Sequence, residues 1–392
     1  MHSIELFTGA GGLALGTHKA GFRHRALYEW NKQACETIQE NARRAAVPGT
    51  ESWAPVEGDV RGVNFAKLGP VDLVAGGPPC QPFSIGGKHH GEADVRNMIP
   101  EFARAVSELE PRAFLMENVK GLLRETFRDY FEYSVLQLSF PKVTPKEGED
   151  WRDHLRRLEE EKEKAAKGSL DPKHYYEVVF KNVVNAADYG IPQTRERVFV
   201  VGFRADLKVA WQPPEKKYSK LALVRDQWVT DEYWRRYDMD RPSGARPPSA
   251  GVLRLAAAGD GCKPWRTVRD VIHDLPKPKP DTDPPGLTNH RLTLGAKTYA
   301  GHTGSPIDLP AKTLKAGVHG VPGGENMLAF PDGTVRYFTV REAARLQTFP
   351  DEWEFAGAWS EAMRQLGNAV PMELAQEFAL SIAKALGALD AS

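Results

Sequence analysis

The sequence predicts an α/β fold, a doubly wound and mostly parallel sheet into which a smaller, loop-rich domain is inserted. In the first half of the chain, short apolar runs alternate with amphipathic stretches of helical periodicity, which is the pattern of strand–helix units. The composition changes near residue 205, and the stretch to residue 336 holds about half of the 29 prolines. Helical periodicity returns after that stretch. The inserted domain is therefore expected before the C-terminal helices.

Each strand is predicted from a short apolar run bounded by turn residues. The predicted strands are SIELF (3–7), RALYEW (25–30), VDLVAGG (71–77), RAFLMEN (112–118), YYEVVFKNVV (175–184) and RVFVVGF (197–203). Each helix is predicted from apolar residues three and four positions apart. The predicted helices are NKQACETIQENARRAA (31–46), MIPEFARAVSELE (98–110), TVREAARLQTF (339–349), SEAMRQL (360–366) and MELAQEFALSIAKAL (372–386).

The expected domains are a discontinuous first domain, 1–204 and 337–392, and a second domain, 205–336. Within the first, residues 141–172 are a charged insertion with a helix-prone centre, expected at the solvated surface. Within the second, GVLRL (251–255) and TVRDVI (267–272) are interpreted as short β-like pieces between loops. Lysine and arginine outnumber the acids of that domain by 20 to 15, which predicts a modest basic bias.

The overall composition argues against several classes of protein. The 52 basic and 52 acidic residues cancel, so the net charge does not indicate a nucleic-acid or membrane partner. Cys35, Cys80 and Cys262 are far apart and match no zinc spacing, so neither a metal site nor a disulfide framework is expected. The sequence has no run of 18 apolar residues and no signal-peptide pattern. A soluble cytoplasmic protein in a reducing compartment is expected.

The first predicted strand leads directly into FTGAGGLALG, a glycine-rich turn at the start of a helix. The glycines of residues 9–12 would let a ligand approach the backbone closely, although a tight turn without a ligand remains an alternative. The second strand ends in Glu29, where such folds bind ribose hydroxyls. Trp30 follows it and can face an adenine, unless it is a core residue. With Asp59 at the end of the third strand, the series predicts an adenosine-containing cofactor.

Cys80 lies in GGPPCQPFS (76–84), directly after an apolar strand and so at the carboxyl edge of the predicted sheet. Three prolines and two glycines restrict the backbone around this single thiol, which core packing does not require. The alternative is a small buried hydrophobe, the usual environment of a free cysteine. A rigid frame at a sheet edge favours a preorganised nucleophile that acts as its thiolate.

Three other stretches carry polar groups suited to nucleophilic chemistry on a heterocycle. FLMENVKG ends a strand with Glu117, a partly desolvated carboxyl that can donate a proton or cap the following helix. In IPQTRERVFVVG, alternation is expected to place Arg195 and Arg197 on one strand face, toward one pocket or in a surface salt-bridge strand. LGNAVP contains Asn368, which can cap the next helix or line the cofactor site.

These stretches resemble the sequence blocks of the DNA cytosine-5 methyltransferases. The blocks occur in the family's order along nearly the whole chain, as ELFTGAGGLALG, YEWN, GDV, GGPPCQPFS, FLMENVKG, YGIPQTRERVFVVGF, TVREAARLQTFP and GNAVP. The resemblance implies a Rossmann-like S-adenosylmethionine-dependent methyltransferase sheet, with 205–336 as a target-recognition domain that reads base edges in DNA. The sequence departs from the family at Asn97, where glycine usually follows the arginine, and at Met372, where a second proline is common.

The resemblance also implies catalytic roles. Cys80 would add to C6 of a cytosine, and Glu117 would hold N3 and assist its protonation. The methyl group of S-adenosyl-L-methionine would pass to C5, leaving S-adenosyl-L-homocysteine, and loss of the C5 proton with expulsion of Cys80 would restore aromaticity. Arg197 would contact O2 of the cytosine, with Arg195 supporting the thiolate and the phosphate. The base must leave the stack before attack, and residues 81–97 would close over the DNA as a lid.

The family positions predict the remaining site residues. The predicted cofactor contacts are Phe7, Gly9, Ala10, Gly11, Gly12, Leu13, Glu29, Trp30, Asp59, Val60, Pro79, Asn368, Ala369 and Val370. The predicted DNA contacts are Gln81, Ser84, Lys88, Arg96, Gln193, Lys312 and Lys315. The stretch 309–327 is the main candidate for base and backbone contacts, and no metal is expected.

The predicted activity is methylation of double-stranded DNA by a monomer, for restriction-modification or epigenetic marking, in the cytoplasm and associated with the nucleoid. No membrane partner is expected, and a cognate restriction endonuclease would be a functional rather than a physical partner. Two alternatives stay open, a tRNA cytosine-5 methyltransferase and a catalytically silent DNA-binding homologue. The size of the 205–336 insertion favours DNA over tRNA. A NAD-dependent dehydrogenase is disfavoured because the chain lacks a hydride site and a spaced G-x-G-x-x-G.

Overall fold

The structure is a computed structural model that describes residues 1–79, 97–316 and 326–390. The chain divides into two compact units. The first comprises Met1–Val184, Glu196–Pro214 and Ala375–Ser392, and the second comprises Asn185–Arg195 and Glu215–Leu374. Residues 337–374 therefore pack with the second unit, whereas the sequence assigned them to the first domain. The boundaries were predicted from the change in composition and the return of helical periodicity, and as a division into functional domains they stay a prediction.

The first unit is built on one sheet. Its strands are β1 (His2–Leu6), β2 (Arg23–Glu29), β3 (Val56–Glu57), β4 (Leu73–Gly76), β5 (Ala113–Val119), β6 (Tyr176–Asn185) and β7 (Glu196–Arg204). Over the described residues they lie in the order β3-β2-β1-β4-β5-β7-β6. The pairs among β1 to β5 are parallel, and β7 runs antiparallel to β5. Strand order reverses between β1 and β4, which is where open α/β sheets bind their ligands.

Helices cover this sheet. They are α1 (Gly12–Lys19), α2 (Lys32–Arg43), α3 (Ile99–Leu109), α4 (Arg128–Ser139) and α5 (Trp151–Ala166). The apolar stripe of α3 is buried against strand side chains such as Val74 and Phe114, because its apolar residues recur at helical spacing. The predicted α/β fold is thus confirmed.

The charged insertion contains helix α5, whose first turn is capped by the side chain of Asp150. The helix is not wholly solvated, since His154 and Leu158 are buried. The His154 ring lies 2.8 Å from the Tyr133 hydroxyl and 2.7 Å from the Val143 carbonyl. Two buried residues therefore attach an otherwise charged helix to the first unit.

The second unit contains short elements. They are α6 (Lys220–Trp228), α7 (Glu232–Arg236), α8 (Ala250–Ala258), α9 (Arg269–Ile272), α10 (Val340–Leu346) and α11 (Trp359–Asn368), with β8 (Tyr218–Ser219), β9 (Lys263–Pro264), β10 (Ser305–Pro306), β11 (Met327–Ala329) and β12 (Val335–Tyr337). Helix α12 (Met372–Asp390) begins in this unit and continues into the first. No helix within the described ranges is long and apolar enough to cross a membrane.

The β-like interpretation of two segments in the second unit was wrong. GVLRL lies in α8, where three alanines of high helix propensity extend the segment into a helix. TVRDVI leads into α9 because Thr267 and Asp270 bond reciprocally: the Thr267 amide donates to the Asp270 carboxylate at 2.6 Å, and the Asp270 amide donates to the Thr267 hydroxyl at 3.2 Å. This local pairing favours a helical start over an extended strand.

Candidate active site

Two charged side chains meet at the carboxyl end of β5. In the β5–β7 ladder, Glu117 is opposite Phe199 and Arg197 is opposite Val119, so the two side chains are diagonal neighbours on one face. The Arg197 Nε lies 2.9 Å from the Glu117 Oε1, and both side chains are almost buried, at 12% and 9% exposure. Burial lowers the pKa of Arg197, and the neighbouring Glu117 carboxylate opposes that shift. The pair is a partly desolvated cation and anion at a sheet edge.

The turn that leads into Cys80 is attached to the same strand end. The Asn118 side-chain amide donates to the Pro78 carbonyl at 3.1 Å, and the Met98 amide donates to the Pro79 carbonyl at 3.1 Å. A Cβ on Gly77 would lie 3.0 Å from the Glu117 Oε2, so glycine lets the carboxyl group pack directly on the turn. Asn118 was not among the predicted site residues, although it follows Glu117 in the same block.

Five predicted site residues lie outside the described ranges. They are Cys80, Gln81, Ser84, Lys88 and Arg96. Their predicted roles, and that of residues 81–97 as a lid, stay predictions. Within the described ranges, Cys35 is buried, and burial raises the pKa of its thiol to about 12. Cys35 is thus an unreactive thiol at neutral pH.

The glycine-rich turn and the end of β2 form a second polar site in the first unit. The Glu29 carboxylate accepts hydrogen bonds from the backbone amides of Gly9 (2.7 Å), Trp30 (3.0 Å) and Asn31 (2.8 Å). Three backbone amide donors fix the orientation of this carboxylate. Phe7 has a left-handed backbone, with φ 58°, which is strained for a residue with a side chain. Such strain is common at ligand sites, where surrounding structure holds it in place.

The remaining predicted cofactor residues of the first unit differ in exposure. Trp30 is 72% exposed, so it is not a core residue. Asp59 follows β3, caps a short 3-10 helix and forms an ion pair with Arg61, whose guanidinium holds the pKa of Asp59 below its ordinary value. Buried side chains are found at Ala10, Leu13 and Val60. These three residues would meet a ligand chiefly through their backbone.

The first unit therefore presents the groups that an adenosine-containing cofactor needs. An exposed indole can face an adenine, an oriented carboxylate can accept from ribose hydroxyls, and left-handed backbone at Gly9 and Gly11 brings amides to the start of α1. The residues present fit such a cofactor. In the described part of the chain, no group of three or more His, Cys, Asp and Glu is arranged to hold a metal ion.

Arg195 does not share a strand face with Arg197, which corrects the expectation from alternation. It lies before β7 and belongs to the second unit, where its fully buried guanidinium donates to the carbonyls of Leu314 (3.0 Å), Gly367 (2.7 Å) and Ala369 (2.9 Å). The two arginines therefore have separate partners. The alternation rule fails here because β7 begins at Glu196, after Arg195.

Gln193 is also inside the second unit. Its side-chain amide donates to the Gln347 Oε1 at 3.2 Å, and its Oε1 accepts from the Leu314 amide at 3.0 Å. The Gln193 side chain has no exposed surface, and its hydrogen bonds hold neighbouring parts of the chain in place. Its predicted contact with DNA stays a prediction. Gln347 was not among the predicted site residues, and nothing in its sequence context distinguishes it.

The other predicted residues of the second unit lie near its surface or at a helix end. Asn368 is exposed and is the last residue of α11, so it does not cap α12, which begins at Met372. Ala369 and Val370 are buried. The Lys312 Nζ donates to the Thr303 hydroxyl at 2.9 Å. Lys315 is exposed, and its backbone amide and carbonyl both bond to the Asn326 side chain.

Comparison with known proteins identifies the family. The family described as C-5 cytosine-specific DNA methylase matches residues 1–140, 164–240 and 296–384. The type II methyltransferase M.PspPI of Psychrobacter sp. (strain TA137) is 33% identical over 395 residues, covering 98% of this chain and 79% of that protein. The type II methyltransferase M.NgoMIV of Neisseria gonorrhoeae is 30% identical over 390 residues, covering 98% and 97%.

Two solved structures share the fold. A putative DNA modification methyltransferase from an E. coli prophage has a TM-score of 0.58 at 23% identity and covers 99% of both chains. The S. pombe Dnmt2 methyltransferase has a TM-score of 0.56 at 16% identity and covers 100% of this chain and 99% of that one. The predicted resemblance is confirmed, and the chain belongs to the C-5 cytosine-specific DNA methylases.

Proposed function

We propose that this protein methylates C5 of a flipped-out cytosine in a specific double-stranded DNA sequence, within a restriction-modification system. The observation that carries the proposal is the Glu117–Arg197 pair beside the Gly77–Pro79 turn, because this turn leads directly into Cys80. Relatives named type II methyltransferases support the DNA substrate. The family match extends over most of the chain, including part of the second unit.

The residues act on the cytosine in a defined order. The Cys80 thiolate adds to C6 while Glu117 holds N3 and assists its protonation, so that electron density collects at C5. Arg197 contacts O2 and keeps its charge beside the Glu117 carboxyl group. After methylation, C5 loses its proton, the bond between Sγ and C6 breaks, and Cys80 leaves as a thiolate. The base regains its aromaticity with the methyl group attached.

The cofactor proposed for this site is S-adenosyl-L-methionine, which supplies an electrophilic methyl group and leaves as S-adenosyl-L-homocysteine. Glu29 would hold the ribose, Trp30 would face the adenine, and Asp59 would accept from its exocyclic amine. The exposed Lys315 and the partly exposed Lys312 would contact DNA phosphates. The protein is proposed to act as a monomer at the nucleoid, without a metal ion.

The experiment measures transfer of labelled methyl groups from S-adenosyl-L-methionine to plasmid DNA and, separately, to tRNA. Label in DNA is expected, and label in tRNA alone would contradict the proposed substrate. Duplex DNA made with 5-fluorocytosine should trap the enzyme covalently, because the C5 fluorine cannot leave as a proton does. Cys80→Ser should form no adduct and Glu117→Gln should form it at least 100-fold more slowly. Cys262→Ser is the matched control and should behave as the wild type.

A further inference from the structure

Four chain segments meet in the interior of the second unit around one arginine. We call the side chains of Gln193, Arg195 and Gln347, with the carbonyls they bind, the Arg195 cluster. All three side chains have no exposed surface. Their partners lie on residues 311–316 and on the end of α11. A buried guanidinium requires several well-placed acceptors, so the positions of these segments around Arg195 are closely constrained.

The cluster caps helix α11. The last four carbonyls of a helix accept no hydrogen bond from within the helix, so they need donors from elsewhere. Here Arg195 donates to the carbonyls of Gly367 and Ala369, and the Gln347 side-chain amide donates to those of Leu366 and Ala369. A positive side chain at this end also interacts favourably with the negative end of the helix dipole. The position of Asn368–Val370 therefore depends on Arg195.

The same arginine holds the segment that carries Lys312 and Lys315. The Arg195 Nη1 donates to the Leu314 carbonyl, while Gln193 accepts from the Leu314 amide, so this residue is held on both sides. The Thr313 hydroxyl donates to the Thr194 carbonyl at 2.8 Å. Residues 313 and 314 are thus fastened to the chain beside Arg195, and the two lysines flank them.

The two attached segments also touch each other. A Cβ on Gly367 would lie 2.3 Å from the Ala316 amide nitrogen and 2.4 Å from the Lys315 carbonyl carbon. Both atoms are backbone, so they have little freedom to move away. Only glycine permits this contact. A shift of residues 315–316 is therefore transmitted to the end of α11 without an intervening side chain.

We propose that Arg195 is a positioning residue that couples DNA binding to cofactor binding, and that it has no direct part in the chemistry. It fixes the Lys312–Lys315 segment relative to Asn368–Val370. The inference rests on the proposed function, in which Lys312 and Lys315 contact DNA, and on the predicted cofactor contacts Asn368, Ala369 and Val370. When DNA orders the Lys312–Lys315 segment, the entropy cost of ordering Asn368–Val370 for the cofactor becomes smaller. This difference is a coupling free energy between the two sites.

The test uses Arg195→Lys, which keeps the charge but loses the planar fork that reaches three carbonyls. The dissociation constant of S-adenosyl-L-homocysteine is measured by calorimetry with and without a duplex carrying the methylated sequence. In the wild type, the duplex should tighten cofactor binding by about 10-fold, within the usual range of coupling. In Arg195→Lys this factor should fall below about 2-fold. An unchanged factor would overturn the proposal.

A second readout separates positioning from catalysis. At saturating cofactor and DNA, Arg195→Lys should still form the covalent adduct with 5-fluorocytosine DNA at a rate within about threefold of the wild type. Loss of the adduct in a folded Arg195→Lys protein would assign Arg195 to catalysis and refute the inference. If the wild type itself formed no adduct, the proposed function would fail instead.

Two further variants keep the test decisive if Arg195→Lys does not fold. Thr313→Val removes only the hydroxyl that bonds the Thr194 carbonyl, and it should lower the coupling factor by about half. Arg364→Lys makes the same substitution on α11 at a surface ion pair with Glu361, and it should leave the factor unchanged. Equal effects of Thr313→Val and Arg364→Lys would contradict the inference.

Discussion

The Arg197 guanidinium and the Glu117 carboxylate form an almost buried ion pair across β5 and β7, with 2.9 Å between Nε and Oε1. The antiparallel register of these strands makes the two side chains diagonal neighbours at one edge of the sheet. Neither charge is fully solvated, so each depends on the other. The pair therefore links the stability of the first unit to the groups proposed for catalysis.

Removing one charge of this pair is expected to destabilise the protein more than removing both. Arg197→Met takes the cation away from a carboxylate that is only 9% exposed, and the free energy of unfolding should fall by about 3 kcal/mol. The double variant Glu117→Gln/Arg197→Met should recover part of that loss. Urea unfolding of the four proteins measures the coupling. Additive effects of the two substitutions would rule out the pair as a stabilising unit.

Trp30→Ala is expected to weaken cofactor binding by about 10-fold without lowering stability. The indole is 72% exposed, so the folded protein loses little packing when it is removed. Calorimetry with S-adenosyl-L-homocysteine measures the dissociation constant, and thermal unfolding measures stability. The matched control is Trp53→Ala, which removes a buried indole and should lower the unfolding midpoint. Unchanged binding in Trp30→Ala would exclude the adenine platform.

Glu5 is expected to make the protein less stable as the pH rises. Its carboxyl group is fully buried in β1, and neither oxygen has a hydrogen-bond partner among the described residues. Burial raises its pKa well above 4.5, and the nearby Ala14 amide opposes this without reaching hydrogen-bond geometry. The folded protein thus holds a proton that the unfolded chain releases, and stability falls by about 1.4 kcal/mol per pH unit from pH 4.5 up to the raised pKa of Glu5.

Glu5→Gln should remove this slope, because glutamine stays neutral at every pH. His24 has the opposite effect on stability. Burial lowers the pKa of His24 to about 4, so below pH 6.5 the unfolded chain binds a proton that the folded protein does not bind. The free energy of unfolding therefore falls as the pH drops from 6.5. The two effects oppose each other between pH 4.5 and 6.5. Urea unfolding of the wild type and Glu5→Gln from pH 5 to 8 isolates the Glu5 effect as their difference. A constant difference would contradict a protonated Glu5.

Gly367→Ala is expected to destabilise the second unit by about 2 kcal/mol, because the new methyl group would overlap backbone atoms of residues 315 and 316. DNA binding should weaken with it, since Lys315 lies at the contact. Gly387→Ala is the matched control in α12, where a Cβ would meet nothing within 4 Å. That change should be neutral or slightly stabilising. Urea unfolding measures the stability of both variants, and DNA titration measures their affinity for DNA. Equal free energies of unfolding for Gly367→Ala and Gly387→Ala would exclude the close contact.

Local sequence patterns were sufficient for the longer strands of the first unit, whereas helix α4 was not among the predicted helices. Alternating apolar runs and helical periodicity predicted those strands to within about two residues, because parallel strands buried on both faces leave a clear signal. The same rules failed for GVLRL and TVRDVI. In those segments alanine propensity and the Thr267–Asp270 pairing decide in favour of a helix. In segments this short, the apolar pattern covers too few residues to distinguish a helix from a strand.

Ordered blocks such as GGPPCQPFS and FLMENVKG are local features, so the family, the α/β fold and the residue types of the proposed chemistry follow from the amino-acid sequence alone. The partners of those residues depend instead on long-range contacts in the folded chain. The tertiary structure paired Arg197 with Glu117 through strand register, and it placed Arg195 at the end of α11, where carbonyls without helical partners need donors. Two arginines separated by one residue took different roles because long-range contacts, not spacing along the chain, supply the acceptors of a buried guanidinium.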